Sequence, residues 1–220
     1  MQEEFYNLGI KYKCDKVYHH RYDRFYPMFL ERLRDKTFNM CEIGLDNCQS
    51  INLWREYFPK ATIYGVDIFD KKFCENNLEN VKTIIADQSS IDGINKIVDS
   101  IDMCDLIIDD GSHNPDHQVD TFKILFEKRL NYGGIYIIED TEIQYWKKGA
   151  SVYNYKYEGN KTLFNFFDKS YDLINEEFSK VKNELHISTL TYCQNCMIIT
   201  KRNKEEIPIC TRQYRFSYNQ

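Results

Sequence analysis

Residues 105–113 have the sequence Asp105-Leu106-Ile107-Ile108-Asp109-Asp110-Gly111-Ser112-His113, an apolar run followed by two carboxylates, a glycine, a serine and a histidine. The apolar run predicts a short strand that is buried on both faces, as strands of parallel sheets usually are. In an open parallel sheet, ligands bind in the crevice beyond the carboxyl ends of the strands. We therefore expect the polar end of this stretch to lie where the protein binds and acts on its ligands.

A second run of the same form follows one helix later, at Gly134-Ile135-Tyr136-Ile137-Ile138-Glu139-Asp140. It predicts another buried strand with acids at its carboxyl end. If the two strands are neighbours, three or four carboxylates and the imidazole of His113 meet at one edge of the sheet.

The rest of the chain supplies the other elements of such a sheet. Further strands are predicted at 40–45, 62–68 and 82–87, a hairpin at 187–192 and 196–201, and helices at 27–36, 50–58 (with Ser50 as N-cap), 91–100, 115–130 and 162–182. This order predicts an α/β fold: a doubly wound, Rossmann-like sheet of seven mostly parallel strands with an antiparallel C-terminal hairpin. We expect one domain over residues 1–220, with an active-site loop at 141–160.

Composition argues against several other classes of protein. The 220 residues are 42% hydrophobic and 29% charged, which is typical of a globular domain. A net charge of −5 argues against a protein that follows the phosphates of a nucleic acid. No apolar run approaches the ~18 residues of a membrane span, and the first residues lack the features of a signal peptide. We expect a cytoplasmic protein (in the host cytoplasm if the source is viral) without a nucleic-acid or membrane partner.

Eight cysteines are scattered along the chain. Several lie in or beside apolar strands, so we expect unpaired, buried thiols in a reducing compartment. Cys193 and Cys196 have the spacing of metal or redox sites. No second pair accompanies them, and Cys196 runs directly into a predicted strand, so we expect neither role.

Three predicted strand ends carry groups that suit a nucleoside. Gly44 follows the first strand, where a glycine lets the backbone approach a ligand beside a helix N-terminus. Asp67 can accept hydrogen bonds from two ribose hydroxyls, and Asp87 with Gln88 offers an acceptor and an amide to an adenine edge. The dinucleotide motif G-x-G-x-x-G is absent, which argues against NAD. The alternative is that these residues only form turns.

The acids of the fourth and fifth strands have the chemistry of a site for a hard cation. Asp and Glu oxygens with open positions suit magnesium, which would bind vicinal oxygens of a substrate and lower the pKa of one hydroxyl. His113 would accept the proton, since an ordinary imidazole pKa is ~6.5. The alternative is that Asp109 and Asp110 cap a turn and His113 caps a helix.

A longer series of motifs runs from about residue 8 to residue 201. It comprises Glu42-x-Gly44, Leu53-Trp54-Arg55-Glu56-Tyr57-Phe58-Pro59, Tyr64-Gly65-Val66-Asp67-Ile68, Asp87-Gln88-Ser89, Ile107-Ile108-Asp109-Asp110-Gly111-Ser112-His113, Ile138-Glu139-Asp140 and Tyr145-Trp146. Together these motifs resemble class I S-adenosylmethionine-dependent methyltransferases of the macrolide-sugar O-methyltransferase type, related to the cephalosporin hydroxylase-like group.

The resemblance implies methyl transfer from S-adenosylmethionine to a sugar hydroxyl, on a nucleotide-sugar or a glycan, by a homo-oligomer. It implies Mg²⁺, or another hard divalent cation, held by Asp110, Glu139 and Asp140, with His113 as the catalytic base. Residues 1–36 would close over the cofactor. The implied cofactor-binding residues are Glu42, Gly44, Ser50, Asp67, Ile68, Asp87, Gln88, Asp109, Lys16 and Tyr22.

Asp109 and Asp110 are expected to have different roles, because neighbouring side chains of a strand point to opposite faces. Asp109 would face the cofactor and Asp110 the metal. The chain departs from the family pattern at Cys14 and near Cys48, where a threonine and a glycine are usual, and the second change affects the shape of the cofactor turn. The chain also lacks the long N-terminal extension of antibiotic-tailoring members, which argues against a macrolide acceptor.

Three other functions remain open at this point. One is an RNA methyltransferase, against which the acidic balance of charge counts. A catechol-type O-methyltransferase would use the same chemistry, because adjacent phenolic oxygens also chelate magnesium. A non-catalytic protein that binds S-adenosylmethionine would share the cofactor residues alone. The aromatic residues that we expect to form a sugar-stacking wall are Tyr145, Trp146, Tyr153, Tyr155 and Tyr157.

Overall fold

One seven-stranded sheet organises the computed structural model, which describes residues 2–75, 79–146 and 162–204. Its strands are β1 (Phe38–Ile43), β2 (Ala61–Asp67), β3 (Val81–Ile85), β4 (Cys104–Asp109), β5 (Leu130–Glu139), β6 (Ile187–Cys193) and β7 (Cys196–Lys201). They lie in the order β3-β2-β1-β4-β5-β7-β6. Strands β1 to β5 are parallel, and β7 runs antiparallel to both β5 and β6. The predicted fold class, including the C-terminal hairpin, is confirmed.

Helices cover both faces of this sheet. They are α1 (Gln2–Tyr12), α2 (Asp15–Tyr18), α3 (Tyr26–Leu30), α4 (Gln49–Tyr57), α5 (Ile91–Ser100), α6 (Pro115–Lys128), α7 (Thr162–Phe166), α8 (Ser170–Ile174) and α9 (Glu176–Ser179). Alternating strand residues enter opposite cores: Leu106 and Ile108 pack with α1 and α4, whereas Ile107 packs with α5 and α6. No helix in the described part of the chain is long and apolar enough to cross a membrane.

Several predicted helix boundaries are wrong. The helix expected over 162–182 is three short helices, because Lys169 and Asn175 have non-helical dihedral angles and Phe178 is exposed. The helix expected over 27–36 ends at Leu30 and continues as a 3₁₀ turn at Glu31–Leu33. Ser50 is not the N-cap of α4, because that position is taken by Cys48.

The N-terminal helix α1 was not predicted, and it completes the core on one face of the sheet. Phe5 has no exposed surface and its ring packs against Tyr26, Trp54 and Tyr57, with centroids 4.9 to 6.0 Å apart. Aromatic pairs at such distances add to the free energy gained by burying their area. Residues 2–33 therefore form an integral layer of the fold. Their predicted role as a cofactor lid stays a prediction.

Two of the cysteines do not match the expectation of unpaired thiols. Cys48 and Cys74 form a disulfide with their Cα atoms 5.7 Å apart, so the turn after β1 is joined to the turn after β2. Cys14, Cys41 and Cys104 are buried thiols, as expected. The sequence could not predict the pair, because the two cysteines are 26 residues apart and become neighbours only through the parallel pairing of β1 and β2.

We expect Cys74→Ser to lower the free energy of unfolding by about 3 kcal/mol under oxidising conditions, because the disulfide restricts the unfolded chain. Denaturant titration measures the difference. Dithiothreitol supplies the control, since the reduced wild type and the variant should then unfold at the same denaturant concentration. Recovery of Cys48 and Cys74 as two free thiols in non-reducing peptide mapping would contradict the expectation.

Candidate active site

An acid cluster lies at the carboxyl ends of β1, β4 and β5, whereas the sequence predicted acids from β4 and β5 alone. We define it as Glu42, Asp110, Glu139 and Asp140, of which the first three surround Lys16 of α2. The Lys16 ammonium lies 2.6 Å from Asp110 Oδ2, 2.9 Å from Glu139 Oε1 and 3.2 Å from Glu42 Oε1. The side chains of Lys16, Glu42 and Glu139 have no exposed surface. These three residues form the deep layer of the cluster.

Asp110, Asp140 and His113 form the shallow layer of the site, with 16 to 18% of each side chain exposed. His113 lies between the two aspartates: its Nδ1 is 4.0 Å from Asp110 Oδ1 and its Nε2 is 3.8 Å from Asp140 Oδ2. One ligand atom from each of the three residues lies within 4.8 Å of the others, so a metal ion held by the two carboxylates would lie beside the His113 ring. The structure thus brings together Asp110, Asp140 and His113, and it places Glu139 one layer deeper.

Backbone geometry at the site is held by surrounding contacts. His113 and Asp140 have positive φ angles of 54° and 53°, which are uncommon for residues other than glycine. Asp140 Oδ1 accepts hydrogen bonds from the Tyr22 hydroxyl at 2.9 Å and from Asn195 Nδ2 at 3.0 Å. Such conformations persist where neighbouring groups determine them, and they concentrate at functional sites.

Three residues that the sequence did not indicate hold the cluster in place. Tyr26 donates to Glu139 Oε1 at 2.6 Å, and Gln118 donates to the backbone oxygen of Glu139 at 2.9 Å. Asn195, in the turn between β6 and β7, also accepts from the backbone N–H of Glu142 through its side-chain oxygen. Only Asn195 had a local signal, because asparagine is common in two-residue hairpin turns.

Burial and charge act in opposite directions on these groups. Burial alone lowers the pKa of Lys16, but the carboxylates of Asp110, Glu139 and Glu42 outweigh it and raise the pKa well above its usual value. Burial raises the pKa of Asp110 and of Glu139, and the Lys16 charge only partly opposes this. One ammonium does not balance four carboxylates, so the cluster suits a further cation. Oxygen donors of this kind suit a hard divalent ion.

Several of the residues predicted to bind a nucleoside lie near the turn after β1. Gly44 has a φ of +87°, and an added Cβ would collide with the backbone oxygen of Asp110, so glycine is required there. Asp67 ends β2 and accepts from the backbone N–H groups of Leu45 at 3.0 Å and Phe69 at 2.9 Å. Ile68 is 56% exposed beside it. The Lys71 ammonium also lies 3.8 Å from Asp67 Oδ2. The predicted role of Asp67 in binding a ribose stays a prediction.

Gln88 and Asp109 have surroundings that differ from the predicted ones. Gln88 Nε2 donates to Asp109 Oδ1 at 2.8 Å and its Oε1 accepts from the Ser112 N–H at 2.7 Å, so the amide is used inside the protein rather than on an adenine edge. Asp109 is completely buried. The expectation that Asp109 and Asp110 have different surroundings agrees with the structure, but Asp109 has an internal partner. Asp87 is exposed and accepts from the Ser89 N–H.

Lys16, Tyr22, Glu42 and Ser50 were predicted to bind the cofactor. Glu42 belongs to the acid cluster, and the side chains of the other three contact it. Tyr22 bonds to Asp140, and Lys16 bonds to Asp110. Ser50 donates its hydroxyl to Glu42 Oε2 at 2.7 Å. The contacts of Lys16 and Tyr22 join residues that are distant in the sequence, so local sequence patterns could not predict them.

A cavity of about 870 Å³ opens beside the shallow layer. His20 and Asn195 border it and also contact Asp140, with His20 Nδ1 3.5 Å from Asp140 Oδ1. Aromatic side chains line the outer part, and Tyr145 and Tyr192 are more than half exposed there. Trp146 of the predicted sugar-stacking wall is 38% exposed, and Tyr153, Tyr155 and Tyr157 lie outside the described residues.

The burial of Asp109 predicts a stability change that depends on pH. Burial raises the pKa of Asp109 from 3.8 to about 6, so the folded state carries a cost for the ionised group above pH 6. This cost disappears as the pH falls towards 3.8. We expect Asp109→Asn to raise the free energy of unfolding by up to about 3 kcal/mol at pH 7 and by almost nothing near pH 4. Urea unfolding at both pH values tests this, and an equal effect at both would contradict it.

No family model matches the chain. It is 33% identical over 172 residues to the 8-demethyl-8-alpha-L-rhamnosyl tetracenomycin-C 2'-O-methyltransferase of Streptomyces olivaceus, a match covering 75% of this chain and 44% of that protein. It is 32% identical over 147 residues to the L-olivosyl-oleandolide 3-O-methyltransferase of Streptomyces antibioticus, covering 63% and 37% respectively. The chain thus spans less than half the length of these two relatives.

A solved structure has the same architecture. The MycE methyltransferase from the mycinamycin biosynthetic pathway, in a complex with Mg, SAH and mycinamycin VI, matches with a TM-score of 0.80 at 24% sequence identity. The match covers 92% of this chain and 54% of that protein. This similarity shows that the fold is shared.

Proposed function

The chain is a relative of the macrolide-sugar group of class I O-methyltransferases, and we propose that it transfers a methyl group from S-adenosylmethionine to a sugar hydroxyl with the help of Mg²⁺. The observation that carries the proposal is the convergence of Asp110, His113 and Asp140 beside a large cavity. A carboxylate pair and an imidazole at one point are the groups that metal-assisted deprotonation of a hydroxyl requires.

Asp110 and Asp140 would hold the divalent cation, with Glu139 directly behind them. The bound cation would supply Lewis acidity that lowers the pKa of a chelated hydroxyl. His113 would take the proton from that hydroxyl, because its ring lies between the two aspartates. Methyl transfer then needs the oxygen, the methyl carbon and the sulfur in line, which is a matter of positioning.

S-adenosylmethionine would bind at the turn after β1. Asp67 would accept the ribose hydroxyls, Ile68 would lie against the adenine ring, and Gly44 would let the backbone approach the ligand. The turn at Gly44 touches the backbone of Asp110, so the proposed cofactor and cation sites would share a wall. The methyl donor would therefore lie next to the activated hydroxyl.

We expect Asp110→Asn and His113→Ala both to abolish methyl transfer, for different reasons. Asp110→Asn removes a charged ligand, so it should weaken Mg²⁺ binding in calorimetry. His113→Ala removes the base and should lower kcat by roughly 100-fold or more while Mg²⁺ binding is largely kept. Turnover is measured by mass spectrometry with labelled S-adenosylmethionine.

The control variant is His117→Ala, which removes an imidazole that bonds to Ser112 and not to the aspartates. It should retain most of the activity. Metal-stimulated turnover by Asp110→Asn would contradict the metal assignment. Binding of S-adenosylmethionine without turnover, across sugars and catechols with Mg²⁺, would favour the non-catalytic alternative instead.

The cavity is the proposed acceptor site, and its lining favours a sugar that carries an apolar group. The names of the relatives specify rhamnosyl and olivosyl groups on tetracenomycin C and oleandolide. Phe164 lies between Tyr145 and Tyr192, with ring centroids 5.6 and 6.4 Å away, and such rings bind the apolar faces of ligands. A glycoside of a natural product fits this surface, whereas the nucleotide-sugar or glycan acceptor predicted from sequence has no counterpart among these relatives.

We expect Tyr145→Ala and Tyr192→Ala each to raise the KM for a glycoside acceptor about 3- to 10-fold, the equivalent of one lost aromatic contact. The KM for S-adenosylmethionine should not change. Tyr171→Ala is the matched control, because Tyr171 is 76% exposed and does not border the cavity. An unchanged acceptor KM in both cavity variants would place the acceptor elsewhere. Homo-oligomerisation, a cytoplasmic location and the lack of nucleic-acid and membrane partners stay predictions.

A further inference from the structure

Lys16 is a buried cation inside the proposed metal centre, and it comes from the N-terminal layer rather than from the sheet. Its side chain has no exposed surface, and its ammonium bonds to Asp110 Oδ2 at 2.6 Å and to Glu139 Oε2 at 3.0 Å. An ammonium in this place is expected to repel a second cation. Its presence among acids that would bind a metal therefore needs an explanation.

The two aspartates of the shallow layer are held in the same manner. Each has one oxygen bonded to the protein and the other directed towards His113. In Asp110, Lys16 holds Oδ2, and Oδ1 is 4.0 Å from His113 Nδ1. In Asp140, Tyr22 and Asn195 hold Oδ1, and Oδ2 is 3.8 Å from His113 Nε2. The inner bonds thus fix the direction of the outer oxygens.

We propose that Lys16 is a positioning residue for the divalent cation: it binds the inner oxygen of Asp110 and so turns the outer oxygen towards the point shared with Asp140 and His113. At the same time it is the counter-ion of Glu42 and Glu139, which have no exposed surface. Buried acids without such a partner would have to rearrange. This inference rests on the metal-dependent function proposed above.

The alternative is that Lys16 only repels the metal. The two roles predict changes of opposite sign in metal affinity when Lys16 is removed. Without the ammonium, repulsion alone predicts tighter metal binding. Loss of positioning predicts weaker binding, because the Asp110 carboxylate becomes free to rotate and its outer oxygen leaves the shared point. The sign of the change in affinity therefore distinguishes the two roles.

The test is the binding of Mn²⁺ alone, followed by electron paramagnetic resonance, to the full chain of the wild type and of Lys16→Met. We expect the Kd for Mn²⁺ to rise at least tenfold in the variant. The matched control is Lys201→Met, which removes another buried lysine whose ammonium bonds to the carbonyls of Phe126, Glu127 and Leu130. It should lose stability and keep the wild-type Kd.

A second variant covers the case in which Lys16→Met fails to fold. The double variant Lys16→Met/Glu42→Gln removes one buried positive charge and one buried negative charge. Glu42 does not belong to the group of Asp110, His113 and Asp140, whose ligand atoms converge. We expect the Kd for Mn²⁺ to rise in this protein as well, because Asp110 has still lost its inner bond.

The outcomes separate this inference from the proposed function. A Kd in the folded Lys16 variants equal to or lower than that of the wild type would overturn the positioning role and leave the metal-dependent function intact. An equal rise in Kd in Lys201→Met would also overturn it, because a general loss of stability would then explain the effect. Failure of the wild type to bind Mn²⁺ would overturn both.

Discussion

The burial of carboxylates around one ammonium is the interaction on which this structure depends. Glu42, Asp110 and Glu139 lie at the carboxyl ends of three different strands and meet at Lys16, which belongs to a fourth segment of the chain. Removing charges from water costs several kcal/mol for each ion unless they are paired and hydrogen-bonded. The cluster is therefore stable only when the strands are in register and the N-terminal layer has docked on the sheet.

Residues that build the core of the fold also hold the acids of the site. Tyr22 and Tyr26 are core residues of the N-terminal layer, and their hydroxyls bond to Asp140 and Glu139. The hairpin of β6 and β7 contributes Asn195, which bonds to Asp140 from the other side. Elements from both ends of the chain thus meet at the two acids that end β5, and the uncommon backbone conformation of Asp140 is held by these contacts.

The sequence was sufficient to predict the sheet and the acids at its strand ends. It was not sufficient to predict the side chains that bond to those acids. Apolar runs ending in acids are local patterns, so β4, β5, Asp110 and Asp140 could be predicted. The helix α1 was not predicted from the sequence. The contacts of Lys16 could not be predicted, because a lysine in a short polar segment is usually exposed. The internal bonds of Gln88 depend on the turn after β3 meeting the end of β4, although two other strands lie between β3 and β4 in the sheet, and no short motif contains that information.

The two adjacent aspartates at the end of β4 have different partners and therefore different properties. Asp109 points into the face packed by α6 and bonds to Gln88, whereas Asp110 points to the opposite face and bonds to Lys16. Burial raises the pKa of both, but only Asp110 has a cationic partner and an oxygen directed towards His113. Because a carboxylate must stay ionised to bind a divalent ion, the ammonium beside Asp110 gives this position, and not its neighbour, the properties that the proposed reaction needs.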